Sequence, residues 1–140
     1  MIKFTIPGKP IPLKRSRYSA KIGGFYDPSS KDKKQTWLQI AKYKPKRPLT
    51  GFISLKMTFY MPRPKSHYRT GKYSNILKAN ARAFHSVKPD IDNLVKYMAD
   101  VIQGKDRFIL DDCQICSLST VKVYSWTNNP RTEITIQEIP

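Results

Sequence analysis

Six of the ten acidic residues in this 140-residue chain fall between Asp90 and Asp112, inside an otherwise basic sequence. Residues 1–89 hold 21 Lys and Arg against two acids, Asp27 and Asp32; residues 90–140 hold five Lys and Arg against eight acids. Acids needed only for solubility would be spread over the surface. A fold for this chain must instead set one acidic patch into a surface whose net charge is +16. A field of that strength suits a polyanion or an anionic surface as partner. The length is that of one domain, residues 1–140, and 39% hydrophobic residues suffice for a single core. No run approaches the roughly 18 apolar residues of a membrane span. Met1-Ile2-Lys3-Phe4-Thr5-Ile6-Pro7 lacks an apolar signal region, so the expectation is a cytoplasmic protein with no membrane partner. No Walker-type glycine loop is present, and no small-molecule cofactor is expected.

The hydrophobic periods divide the chain into β-α-β, a basic loop, then α-β-β. Ile2–Ile6 and Ile53–Phe59 alternate apolar and polar residues, as half-buried strands do. The segment from Pro7 to Tyr18 has three prolines and four cations, which points to a phosphate-facing loop with Lys14, Arg15 and Arg17 as DNA contacts. A helix of about 12–16 residues is expected after Asp27-Pro28-Ser29-Ser30, ending before Pro45. Residues 61–89 hold seven Lys and Arg and no acid. Ile76–Phe84 could form a short helix there, and the long, weakly patterned stretch is expected to be mobile without a partner. A helix beginning at Asp92 or Asn93 shows the apolar stripe Leu94, Tyr97, Met98 and Val101 and stops at Gly104. Ile115–Tyr124 and Thr132–Ile139 read as strands. The turn Trp126-Thr127-Asn128-Asn129-Pro130 suggests that they pair as a hairpin. Cys113 and Cys116 are expected to be reduced, part-buried thiols, since His67 and His85 lack the spacing to complete a zinc site with them.

The segment Lys88-Pro89-Asp90-Ile91-Asp92-Asn93-Leu94-Val95-Lys96 carries the chemistry. If Asp90–Asp92 stay extended up to the helix, their carboxylates project the same way. Two adjacent carboxylates repel, and a cation relieves this. Magnesium suits the place, because it takes hard oxygen ligands and keeps waters and a substrate phosphate. Lys96 lies one helical turn beyond Asp92 and can reach a phosphate there; Asp100, a further turn on, can orient it. Asp111 and Asp112 follow the helix. A helix-to-strand return would bring one or both back, so that three or four carboxylates share one pocket. Lys88 precedes the cluster as a further DNA contact. Acids for a metal and cations for a polymer are what metal-assisted phosphodiester hydrolysis requires. Taken singly, the same residues have plainer roles: Asp90 or Asp92 as a helix cap, Asp111-Asp112 as turn residues, Lys96 as a solvated side chain.

The pattern Asp90-Ile91-Asp92-Asn93-Leu94-Val95-Lys96, then Asp100, then Leu110-Asp111-Asp112-Cys113-Gln114-Ile115 resembles the signature of the RusA-type Holliday junction resolvases. The early strand, the Pro-rich basic loop and the length fit as well. The resemblance implies an α+β single domain with a small mixed sheet. It also implies a homodimeric, Mg²⁺-dependent endonuclease, phage or prophage encoded, that nicks two opposed strands of a four-way DNA junction in recombination and repair. Position by position, Asp90, Asp92 and Asp112 match the family's catalytic, metal-holding carboxylates, with Asp111 as the other candidate of the pair, and Lys96 matches its functional lysine. The alternatives are a non-catalytic basic nucleic-acid-binding module and a nuclease acting on other branched or single-stranded DNA.

Overall fold

The computed structural model describes all residues 1–140. The elements are β1 (Ile2–Pro7), β2 (Arg17–Ser19), β3 (Gly24–Tyr26), α1 (Ser30–Ile40), β4 (Phe52–Met61), α2 (Ile91–Ile102), β5 (Ile115–Tyr124) and β6 (Arg131–Ile139), with single 3₁₀ turns between some of them. The main sheet is mixed, in the order β1-β6-β4-β5, and β2 and β3 form a separate two-stranded ribbon. The α+β class and the β-α-β-α-β-β order hold, with that ribbon added.

Strict alternation makes β4 the centre of the domain. Ile53, Leu55, Met57, Phe59 and Met61 are buried, and they meet Leu94, Tyr97, Met98, Val101 and Ile102 of α2 in one core cluster. Ser54, Lys56, Thr58 and Tyr60 occupy the opposite, more open face. The stripe read from the sequence of α2 is thus its buried face. Complete burial of Leu94 and Val101 fixes the rotation of α2 about its axis, and removing such a side chain in a packed core costs about 2–5 kcal/mol. α1 adds Ile40 to the core, and Thr36 Oγ1 lies 2.8 Å from Tyr97 OH. A second tie joins the helices: Lys33 Nζ donates to Asp27 (2.6 Å) and to Asp100 (2.9 Å). The Lys33 hydrogen bond holds the Asp27 carboxyl below its usual range. This contribution to stability is present at neutral pH and lost on acidification, as Asp27 protonates.

Four local expectations are corrected. β5 and β6 do not pair. β5 runs parallel to β4, and β6 returns antiparallel on the other side of β4 to lie against β1. Hairpin pairing wants loops of about two to five residues; the six residues 125–130 are long enough to step over one strand. α2 begins at Ile91, with Asp90 at the cap position, rather than at Asp92 or Asn93. Ile76–Phe84 forms no helix. Its backbone is spent on cross-links instead: Arg69 N–H to Ile76 O, Lys78 N–H to His67 O, and Tyr124 N–H to Ala83 O. Cys113 and Cys116 are free, as expected, but exposed rather than part-buried.

Candidate active site

The site is built on the first turn of α2. Asp90 has an extended backbone at the helix cap, yet its carboxylate accepts no capping hydrogen bond. The ordinary use of an Asp at this place is therefore not taken. Asp92 sits in the first turn, also at the positive end of the helix dipole, which stabilises negative charge. Both acids line one open cleft of about 840 Å³, with Phe84, His85, Lys88 and the Thr120–Lys122 segment of β5. The acids converge because they flank a helix start, not because an extended segment alternates.

Three contacts hold the surroundings. Lys122 Nζ donates to Val87 O (2.7 Å) and Pro89 O (2.5 Å), tying the approach to Asp90 onto β5. Leu13 N–H donates to Asn93 O (3.0 Å), which lays the Pro-rich loop beside the first turn of α2. Lys14 N–H donates to the buried Ser29 Oγ (2.9 Å) at the start of α1. The side chains of Lys14, Arg15, Arg17 and Lys88 are left exposed. The cationic loop and the acid pair thus meet at one end of α2.

Lys96 is on the expected face: its Nζ lies 3.8 Å from Asp92 Oδ2. The side chains are 63% and 65% exposed, so the contact is loose and Lys96 is available to a phosphate. Asp100 does not orient it. Asp100 instead accepts from Lys33 Nζ (2.9 Å) and Gln103 Nε2 (3.3 Å).

Asp111 and Asp112 lie at the other end of α2. Asp112 N–H donates to Oε1 of Gln103, the residue that ends the helix. Twelve residues of α2 separate the two acidic pairs by about 18 Å. No group of three acid, His or Cys side chains within the chain is placed to hold a metal. The helix-to-strand return occurs, but it carries Thr120–Lys122 back to Asp90, not Asp111–Asp112, so the single shared pocket expected within one chain is not formed. The two members of the pair differ. Asp111 is a turn cap: its Oδ1 accepts from Cys113 N–H (2.9 Å), and that bond holds its carboxyl below the usual range. Gln114 Oε1 in turn accepts from Asp111 N–H (3.0 Å). Asp112 makes no comparable side-chain commitment.

Phe84, His85 and Lys122 also line the cleft of Asp90 and Asp92, although no sequence motif marks them. His85 is buried, its Nδ1 has no partner, and its ring lies 4.9 Å from that of Tyr124. Burial and the nearby Lys122 push its pKa down, so the imidazole is neutral at physiological pH. No spacing rule connects position 85 to Asp90; the bond from His85 N–H to Lys122 O (3.1 Å) does so in space.

An acid pair free of capping bonds at a helix start, with Lys88 in the same cleft and Lys96 beside Asp92, suits phosphodiester chemistry. The profile of the family described as "Endodeoxyribonuclease RusA" matches residues 7–137. The chain belongs to that family. It is therefore an endodeoxyribonuclease, a hydrolase of DNA phosphodiesters, with branched DNA junctions as its substrate class. It is also 32% identical over 147 residues to the "Uncharacterized protein YqaN" of Bacillus subtilis (strain 168), covering 99% of this chain and 96% of that protein. No helix is long and apolar enough to cross a membrane.

Proposed function

We propose that the chain is a Mg²⁺-dependent endonuclease that resolves four-way DNA junctions, as a homodimer, by two opposed nicks. The observation that carries this is the pair Asp90 and Asp92, free of capping bonds and lining one cleft with Lys88, with Lys96 Nζ 3.8 Å from Asp92. Two hard oxygen donors open to water fit Mg²⁺, which keeps waters and takes a substrate phosphate as further ligands. When bound, the ion would polarise the scissile phosphate and lower the pKa of an attacking water. The chain's own contribution is placement. Asp90 and Asp92 would hold the charge, and Lys96 would hold a non-bridging phosphate oxygen. Lys14, Arg15, Arg17 and Lys88 would hold the strands around it.

The third carboxylate is the reason for reading a dimer. Two carboxylates one helix length from the others leave each chain with an incomplete set. β5 is one of the two outer strands of the sheet, and its exposed stretch Cys116–Ser119 carries no charge, which lets two strongly basic chains approach along it. Antiparallel pairing of two β5 edges about a two-fold axis near Leu118 would lay residues 112–114 of one copy against residues 122–124 of the other. The partner's Asp112 would then complete the set begun by Asp90 and Asp92. Of the pair, Asp112 is favoured because Asp111 is spent on its turn.

Two measurements bear on this. A four-way junction, a three-way junction and a linear duplex, each with Mg²⁺, should give paired symmetric nicks in the first only; equal cutting of all three, or of single strands, would replace this reading by a general nuclease. Binding to the four-way junction without metal should fall steeply with salt, by about tenfold or more between 50 and 200 mM, because each neutralised phosphate releases counterions. A flat salt dependence would contradict a cationic binding face. Lys96→Ala should slow single-turnover nicking by about 10²-fold while changing affinity only a few-fold. An unchanged rate at saturating protein would remove Lys96 from the reaction.

A further inference from the structure

We propose that Trp126 and the cavity beside it form a stacking site for an unpaired nucleobase of the bound DNA. The inference rests on the reading of the chain as a nuclease of branched DNA. Trp126 opens the turn after β5 and is 68% exposed, so its indole is open to a stacking partner. It is backed by a clamped cation. The Arg63 guanidinium carbon lies 5.7 Å from the Trp126 ring centroid and 5.1 Å from that of Tyr124. Arg63 is itself fixed: Nε donates to Ser125 O (3.0 Å), Nη1 donates to Arg82 O (2.7 Å), and Nη1 lies 3.2 Å from His67 Nδ1. The indole is thus held on a rigid support, with much of its surface left open.

The cavity beside it is about 600 Å³ and is lined by Arg63, Lys65, Tyr68, Asn75, Trp126 and Asn128, among others, with no carboxylate. A flat aromatic surface, two amides and two cations suit a nucleobase with its phosphate better than an aliphatic or cationic ligand. A second observation points the same way. Arg63 is buried, and its Nη2 has no hydrogen-bond partner. A buried charged donor without an acceptor is costly, and a small shift of Arg63 toward the cavity it lines would offer Nη2 to a keto oxygen of a base or a phosphate oxygen.

The cavity is also connected to the acid pair. A groove of about 330 Å³, with Lys9, His85, Lys88 and Tyr124 in its walls, shares Arg63 with the Trp126 cavity and shares His85, Val87 and Lys88 with the cleft of Asp90 and Asp92. Lys9, Lys65 and Lys88 lie along this path, a track for a polyanion. From Thr120–Lys122 to Trp126 is four to six residues, the last two beyond the end of β5, or at most about 13–20 Å. That spans roughly three to six nucleotides, depending on how far the strand is stretched. Bases within a duplex stack on one another and are not on offer; a base beside a branch point can be.

The test uses a four-way junction carrying 2-aminopurine at successive positions on each side of the nicked bond, with the full-length protein and a chelator in place of metal. Emission should drop at one or two positions roughly three to six nucleotides from that bond. The drop should vanish in Trp126→Ala and persist in part in Trp126→Phe. Junction affinity should fall about tenfold in Trp126→Ala. No position-dependent drop in the wild type, or the same drop in Trp126→Ala, overturns the stacking site. Should Trp126→Ala fail to fold, the wild-type scan and Trp126→Phe still decide. A wild-type protein that shows the Trp126-dependent drop but cuts no junction would overturn the reaction assignment and leave the stacking site standing.

Discussion

Asp90→Asn and Asp92→Asn should each lower the single-turnover nicking rate by at least about 10²-fold, the scale on which one charge partner of a transition state is lost. Junction binding without metal should hold or tighten, since a negative charge beside the phosphates has gone. The contrast is informative because neither carboxylate is part of the scaffold. Asp90 makes no capping bond that its removal would break, and Asp92 has only the loose contact with Lys96. Asn is nearly isosteric and is accepted at a helix cap, so folding should be unaffected. Thermal melts and gel shifts on the same preparations check that part. A mutant that nicks at the wild-type rate would remove its residue from the site. A mutant that loses binding as well would mean that the acids shape the loop rather than serve the reaction.

The parts legible in the sequence are those where one physical signal dominates. Buried alternation defined β4, and the apolar stripe defined α2, because each packs a whole face into the core. The acid pair was legible because Asp90 and Asp92 lie within one turn of chain, so their proximity does not depend on the rest of the fold. Asp111 and Asp112 depend on it entirely. Only the length and direction of α2 decide whether they return, and the return delivers Thr120–Lys122 instead. The turn at 126–130 correctly signalled a reversal. A reversal does not choose a neighbour, and β6 is chosen by β4, against which Ile134 and Ile136 are registered with Met57 and Leu55. The β2–β3 ribbon escaped notice because its strands are three residues each and bury no face: Tyr18 and Phe25 are exposed and touch each other edge to face. Segment 61–89 is tied to the rest of the domain by backbone cross-links and by the side chains of Arg63 and Lys122, none of which leaves a period to read.

The separation of the two acidic pairs leads to the result that bears most directly on the dimer. Asp92→Asn and Asp112→Asn proteins should each be inactive alone and should regain nicking when mixed and allowed to exchange subunits. With a site shared across the two-fold axis, a mixed dimer has one site carrying both lesions and one carrying neither. Random exchange makes half the dimers mixed, so about a quarter of the wild-type number of sites is restored. A site contained in one chain gives the opposite result, because each chain then carries its own lesion into its own site and the mixture stays inactive. The product should differ as well. A mixed dimer has one working site facing one strand, so it should leave singly nicked junctions rather than resolved duplexes. Light scattering at the assay concentration, reporting about twice the 16.2 kDa chain mass, checks that dimers are present. Mixtures that remain inactive although subunits exchange would place the third carboxylate elsewhere. Restored activity with paired nicks would mean that one working site visits both strands in turn.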